Sequence, residues 1–91
     1  MTEYRVVATL DVVHDYNGEK YHYDIASCHW GGKAHKMQTY DKDRAEYYLK
    51  RAKEECPKFD VKTQENTSRD YIRYLHSNIR IQTREVTEWS D

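Results

Sequence analysis

The chain has 91 residues, of which 15 are basic and 16 acidic, and charged side chains make up 34 % of the sequence. This length predicts one small domain, and the longest apolar runs, of two or three residues, exclude a membrane-spanning helix. Two cysteines are too few for a disulfide scaffold. Only fourteen residues are Val, Leu, Ile or Phe whereas nine are Tyr, so we expect tyrosine to supply part of the core.

The first predicted element is a β-hairpin. Apolar and polar residues alternate from Tyr4 to Val12, the period of a half-buried strand. Asn17 and Gly18 then favour a two-residue turn in which both residues have positive φ. That turn predicts these facing pairs: Val12 with Tyr23, Leu10 with Ile25, Ala8 with Ser27, and Asp11 with Asp24. The pairing predicts Tyr4, Tyr21 and Tyr23 as core residues, and the hairpin ends at residues 30–33.

A helix is predicted over residues 41–56, after a brief extended segment at 37–40. Asp41 is a favourable N-cap, and Pro57 ends the helix. The apolar side chains recur at helical spacing and form one stripe: Ala45, Tyr48, Leu49, Ala52 and Cys56. We expect this stripe to pack on one face of the sheet.

Two further strands are predicted beyond Pro57. One spans residues 59–63, and the last spans 79–83 and extends toward Val86 or Trp89, with an irregularity near Glu85. Residues 70–76 fit either a helical turn or a short strand. The resulting order, β-β-α-β-(α or β)-β, predicts a small two-layer α+β domain over 1–91, with an antiparallel sheet and one main helix.

The sequence offers no catalytic constellation, so we expect a protein that is not an enzyme and uses no cofactor. Cys28, His35 and Cys56 are the nearest set of metal-ligating types, but the adjacent Cys28 and His29 point to opposite sides of a strand. We therefore expect no metal site. With no secretory signal at the start, we also expect reduced cysteines and a cytoplasmic location.

Binding fits the composition best, because tyrosine, tryptophan and arginine are enriched in protein interfaces. The predicted binding residues lie on and beside the outer face of the helix: Trp30, Tyr47, Lys50 and Arg51. Residues 33–58 carry eight bases against five acids, so a nucleic-acid-binding protein that uses the basic 33–53 segment is the alternative. A homodimer that pairs its last strand across a two-fold axis is the second alternative.

The stretch from Ile81 to Trp89, with its Arg-x-Val-Thr-x-Trp ending, resembles the endings of short phage-encoded proteins of unknown function. Those proteins also run through a hairpin, one helix and a last strand. Similar small phage proteins include anti-CRISPRs and other inhibitors of host defence. The resemblance implies a stoichiometric inhibitor that covers a surface of a host complex in the host-cell cytoplasm.

Overall fold

The computed structural model describes residues 1–14, 18–60, 72–85 and 89–91. The elements are, in chain order, strands β1 (Glu3–His14), β2 (Glu19–Ile25), β3 (Ser27–Trp30), β4 (Lys33–Lys36) and β5 (Gln38–Thr39), helix α1 (Lys42–Glu55), a short 3-10 helix (Cys56–Phe59) and strand β6 (Ile72–Arg84). All the strand pairs are antiparallel. The predicted α+β class, an antiparallel sheet with one main helix, is confirmed. None of the helices in the described ranges is long and apolar enough to cross a membrane.

Strand β1 is the central strand of the main sheet. β6 pairs with it along one edge, from Glu3 to His14. The other edge is shared, because β2 pairs with residues 8–14 of β1 and β5 pairs with Tyr4 and Arg5. The alternating pattern of β1 therefore gives two sheet faces, one with the even-numbered and one with the odd-numbered residues.

The predicted register of the first hairpin is wrong by two residues. Leu10 faces Tyr23 and Val12 faces Tyr21, and the last pair before the turn is His14 with Glu19. Four residues therefore lie between the strands, and of the predicted turn only Gly18, which has a φ of 72°, is among the described residues. A slip of two residues keeps every side chain on the same face, so the apolar pattern could not detect it.

The corrected register also removes the predicted pair of aspartates. Asp11 lies opposite His22, whose Nδ1 is 2.5 Å from the Asp11 carboxylate. Asp24 lies opposite Thr9 and accepts a hydrogen bond from its hydroxyl at 3.2 Å. Each acid thus faces a hydrogen-bonding partner instead of a like charge.

A second hairpin forms where the sequence predicted a loop. β3 and β4 pair through a two-residue turn at Gly31 and Gly32, which have φ angles of 59° and 76°. Positive φ at both positions is what a type I′ turn requires, and glycine adopts it at no steric cost. The brief extended segment predicted at 37–40 is present as β5.

The helix follows its prediction closely. Asp41 is the N-cap, and its side chain accepts a hydrogen bond from the Asp43 amide at 2.9 Å. After α1 the chain continues into the 3-10 helix that contains Pro57 and Phe59. The strand predicted at 59–63 is therefore wrong at Phe59, and its residues 61–63 lie outside the described part.

Strand β6 resolves the ambiguity at 70–76, since residues 72–76 are strand, whereas 70 and 71 lie outside the described residues. The irregularity predicted near Glu85 adjoins residues 86–88, which lie outside the described residues, and a separate irregularity occurs upstream. Between Val7 and Thr9 the pairing shifts by one residue, so that Asn78 and Ile79 oppose a single residue of β1. Asn78 has a φ of 48°, as expected at the first position of such a bulge.

The core lies between the even-numbered face of β1, helix α1 and the second hairpin. Its buried members are Val6, Cys28, Trp30, Met37, Ala52 and Cys56. Tyr48 and Leu49 of the helical stripe, with Ile79 and Ile81 of β6, pack against them. Tyr48 thus contributes to the core as predicted, whereas Tyr21 and Tyr23 are 40 % and 52 % exposed, so their prediction as core residues is wrong.

The opposite face of the sheet carries a cluster near the C-terminal residues. The Trp89 ring stacks between two guanidinium groups, with Arg5 at 4.4 Å and Arg84 at 4.3 Å from its centroid. Ser90 and Thr83 exchange backbone hydrogen bonds at 2.9 Å. These contacts hold residues 89–91 against the end of β6.

Candidate binding surface

The main sheet is longer than the helix that packs on it. β1 has 12 residues, which span about 40 Å as a strand, and α1 has 14 residues, which span about 21 Å as a helix. The helix packs near Val6 and Ile81, at the end of the sheet where β1 begins. The same face therefore extends well beyond the helix at the other end.

We call the part of this face that no described helix covers the open face, and its residues are Leu10, Val12, Tyr21, Tyr23 and Tyr74. The register puts them side by side, with Tyr23 opposite Leu10, and both Tyr21 and Tyr74 opposite Val12. The rings of Tyr21 and Tyr23 stack with their centroids 6.3 Å apart. Val12 is 9 % exposed, whereas Tyr21 and Tyr23 are 40 % and 52 % exposed.

Charged side chains lie on both faces at this end of the sheet, since Glu19 shares the face of Tyr21 and accepts a hydrogen bond from its hydroxyl at 2.6 Å. The five residues of the open face are uncharged, whereas the opposite face carries alternating acids and bases, among them Asp11, Asp24 and Arg80. Arg80 lies 3.4 Å from Asp24 and 3.1 Å from Asp91. A surface of tyrosine and aliphatic side chains offers apolar contact area with polar hydroxyls at the ring tips, of which the Tyr21 hydroxyl already donates to Glu19.

The residues predicted as a binding surface occupy different environments. Trp30, expected to be exposed, is 9 % exposed and belongs to the core, so that expectation is wrong. Its ring stacks on His35 with centroids 3.8 Å apart, and the Arg51 guanidinium lies 5.4 Å from its centroid. Burial follows from the second hairpin, whose turn at Gly31 folds the chain back beside Trp30.

The other three predicted residues lie on α1. Tyr47 and Lys50 are exposed, and Tyr47 has the Arg44 guanidinium 5.5 Å from its ring centroid. Arg51 is only partly exposed and lies 3.4 Å from the carboxylate of Glu55. The structure thus leaves Tyr47 and Lys50 accessible and assigns Arg51 to contacts within the chain.

The two cysteines meet at a cavity of about 220 Å³ that reaches the far end of α1. Its lining includes Cys28, Cys56, Phe59 and His76. Burial raises the pKa of the Cys56 thiol well above its ordinary value, and a hydrogen bond with Cys28 acts in the same direction. A thiol that stays protonated is a poor nucleophile, so this cavity is suited to packing and not to thiolate chemistry.

A buried aspartate–histidine pair borders the same cavity. The Asp60 carboxylate is 2.6 Å from His76 Nδ1 and also accepts the His76 backbone amide at 2.9 Å. Both side chains are nearly buried. No local sequence pattern predicts this pair, because the two residues are 16 positions apart and belong to different elements.

The described residues contain no group of three or more histidine, cysteine, aspartate or glutamate side chains arranged to hold a metal ion. Cys28 and Cys56 approach each other, but the His35 ring stacks on Trp30 and its Nε2 donates a hydrogen bond to the Trp30 carbonyl oxygen at 3.1 Å. His35 is thereby directed into the second hairpin.

A polar cleft lies at the opposite end of the sheet from the open face. Glu3 is its central group, and the carboxylate accepts hydrogen bonds from Gln38 Nε2 at 2.7 Å and Arg84 Nε at 2.5 Å. These two hydrogen bonds, the Gln38 bond first, hold the pKa of Glu3 below its ordinary value of 4.5. Within this cleft the charges of Glu3 and Arg84 are paired with each other.

Comparison of the chain with protein-family models, with curated proteins and with solved structures yields no match.

Proposed function

We propose that the chain is a small, non-enzymatic protein-binding module that presents the open face to its partner. The observation that carries the proposal is the uncovered aromatic half of the sheet, where Tyr21 and Tyr23 are 40 % and 52 % exposed. Contiguous exposed apolar area on a small domain is typical of an interaction site. Tyrosine supplies rigid contact area at low conformational cost, which favours a protein partner.

The basic helical segment supports nucleic-acid binding less well than protein binding. Arg51 faces Glu55 and Glu54 at 3.4 and 3.9 Å, and Lys58 lies 3.1 Å from Glu55. Within the 33–53 segment, acids thus offset Arg51, a base that phosphate binding would need, and Lys58 just beyond it is offset in the same way. No specific contact in this segment favours the nucleic-acid-binding alternative.

The proposal includes no enzymatic activity because the best candidate for a catalytic nucleophile, the Cys56 thiol, is unreactive. Cys56 lies at the C-terminal end of α1, where the helix dipole disfavours a thiolate, and burial raises its pKa further. Asp60 orients the His76 imidazole, but the Cys56 thiol that lines the same cavity stays in the unreactive protonated form.

The finer proposal is a phage-type inhibitor that acts stoichiometrically on a host defence complex in the cytoplasm. Two supports are the resemblance of residues 81–89 to the endings of short phage proteins and the two free cysteines, which suit a reducing compartment. Expression of the chain in a cell with an active defence system should raise the plaquing efficiency of a sensitive phage. Unchanged plaquing against every defence system of the host would contradict the inhibitor proposal.

The open face is tested by quantitative affinity capture from the cell in which the chain is made. Tyr21→Ser with Tyr23→Ser should lose the captured partner, because both substitutions remove aromatic contact area from the open face. Tyr40→Ser with Tyr47→Ser is the matched control, since it removes two equally exposed tyrosines elsewhere. Circular dichroism verifies that both variants fold.

Two outcomes would contradict the proposal. Loss of the partner in the control variant alone would assign binding to the helix face around Tyr47. Capture of nucleic acid that falls steeply between low and physiological salt would favour the basic-segment alternative instead.

A further inference from the structure

Strand β2 lies at an edge of the main sheet, and its backbone groups alternate between β1 and the outside. The Val6 amide donates to the Met37 carbonyl at 2.9 Å, on the edge of β1 that β2 shares. The backbone N–H and C=O groups of successive residues in a strand point to alternate sides. Those of the even-numbered residues of β1 therefore point toward β2 and form hydrogen bonds with it. Their partners Tyr21 and Tyr23 bond back to β1, so the amides and carbonyls of Lys20, His22 and Asp24 point outward.

Among the described residues, β2 pairs with β1 alone. The outer edge of β6 is different. The outward amide of His76 donates to the Asp60 carboxylate, and Thr83 exchanges hydrogen bonds with Ser90. Two positions along β6 are thus already engaged, which leaves β2 as the more available edge for a further strand.

The sequence of β2 is complementary to itself in the antiparallel direction. Centred on His22, the strand reads Lys20-Tyr21-His22-Tyr23-Asp24. If two copies pair about this centre, Lys20 of each lies opposite Asp24 of the other, and Tyr21 lies opposite Tyr23. Cross-strand pairs of opposite charge and of aromatic rings both stabilise a sheet.

The backbone pattern permits this register. In an antiparallel pair the residues that exchange hydrogen bonds must both point toward the partner strand. His22 opposite His22, and Lys20 opposite Asp24, satisfy that condition because all three residues point outward. In this register each of the seven residues of β2 lies opposite a residue of the other copy. A register shifted by two residues would leave residues at the strand ends without an opposite residue.

We propose that β2 is a homodimerisation strand, which pairs with β2 of a second copy about a two-fold axis at His22. The side chains that would meet are accessible, since His22 and Asp24 are 70 % and 54 % exposed. An edge lysine usually obstructs strand addition, but here each lysine meets an aspartate of the other copy. The dimer joins the two sheets into one of twice the width and makes the two open faces continuous.

The interface is small, so the dimer forms at micromolar or higher concentration. Sedimentation equilibrium of the wild-type chain from about 10 to about 500 μM should give a mass that rises from 11.0 kDa toward twice that value. A mass of one chain over this whole range would overturn the proposal, whatever protein the open face binds.

Charge-reversal variants test whether β2 is the strand that pairs in the dimer. Lys20→Asp puts two aspartates opposite each other, and Asp24→Lys puts two lysines opposite each other, so each variant alone should dimerise at least about tenfold more weakly. In an equimolar mixture every facing pair is again of opposite charge, and the mixture should regain the dimer. Lys53→Asp, on the exposed face of α1, should leave dimerisation unchanged.

A backbone variant tests the edge without altering charge. His22→Pro removes an amide that points away from β1, so the monomer should keep its circular dichroism spectrum while dimerisation is lost. A wild-type dimer that survives His22→Pro, or a charge-variant mixture no heavier than its separate components, would show that the copies associate elsewhere and would overturn the proposal.

Discussion

Tyrosine has two roles in this chain, and the element on which each ring lies decides between them. Tyr48 packs against the core from α1 and accepts a hydrogen bond from Arg44 Nε at 3.3 Å. Tyr23 and Tyr21 stack on each other on the open face, where no described helix covers them. The same residue type therefore replaces missing aliphatic side chains at one end of the sheet and supplies contact area at the other.

Trp30 and Tyr47 should respond very differently to truncation. Trp30→Ala removes a buried ring that contacts His35, Tyr48 and Arg51, and should lower the free energy of unfolding by about 3–5 kcal/mol. Tyr47→Ala, at a 46 % exposed position, should change it by less than about 1 kcal/mol. Urea unfolding followed by circular dichroism measures both, and equal losses would contradict the assignment of Trp30 to the core.

Glu3 should contribute to the acid sensitivity of the fold. Hydrogen bonds from Gln38 and Arg84 lower its pKa in the folded state, so its stabilising effect is present above the ordinary value of 4.5 and is lost as the pH falls through the lowered folded pKa. Glu3→Gln removes this titration. Between about pH 6 and pH 3 the Tm should therefore fall less in this variant than in the wild type.

Thermal melts over that pH range make the comparison, with Glu46→Gln on the exposed face of α1 as the control. A control that reduces the acid-dependent loss of Tm as much as Glu3→Gln would refute the role assigned to Glu3.

The elements differ in how clearly the sequence specifies them. Helix α1 has a capping aspartate, a continuous apolar stripe and a terminating proline, and these local signals agree, so its bounds could be predicted to within one residue at each end. β3 and β4 have only four residues each and are largely polar, so their hairpin was missed although Gly31 and Gly32 offered a turn signal.

The bulge in β6 gives a prediction at this scale. Asn78 has a φ of 48°, a conformation that a β-branched residue adopts only with strain. Asn78→Val should lower the free energy of unfolding by about 1–2 kcal/mol, whereas Asn78→Gly should be neutral or slightly stabilising. Urea denaturation of the two variants decides the matter, and equal stability would mean that the bulge does not constrain this position.

The exposure of the open face could not be predicted from the sequence, because it depends on contacts between distant parts of the chain. The face of each residue in β1 and β2 follows from alternation, and both register choices put Tyr21 and Tyr23 on the same face as Leu10. Whether that face is covered depends on where α1 packs along the sheet. The position of the helix is set by long-range packing in the core cluster that includes Ala52 and Met37, which no local pattern encodes.

The whole molecule is elongated, with extents of 51 × 28 × 17 Å. One short helix and a small second hairpin cover part of one sheet face, and the other part of that face is the open face. This division separates a stabilising end, which holds the buried core, from an end whose aromatic side chains are accessible to a partner. The proposed pairing of β2 would double that accessible area without altering the core.

Site-specific photocrosslinking tests the role of the open face most directly. A photoreactive phenylalanine analogue replaces Tyr23 in one variant and Tyr47 in another, since both positions are exposed. After irradiation in the cell that makes the chain, the variant at 23 should yield a covalent product with a protein other than a second copy, and the variant at 47 should not. A heterologous product from position 47 with none from position 23 would contradict the assignment of the open face as the binding surface.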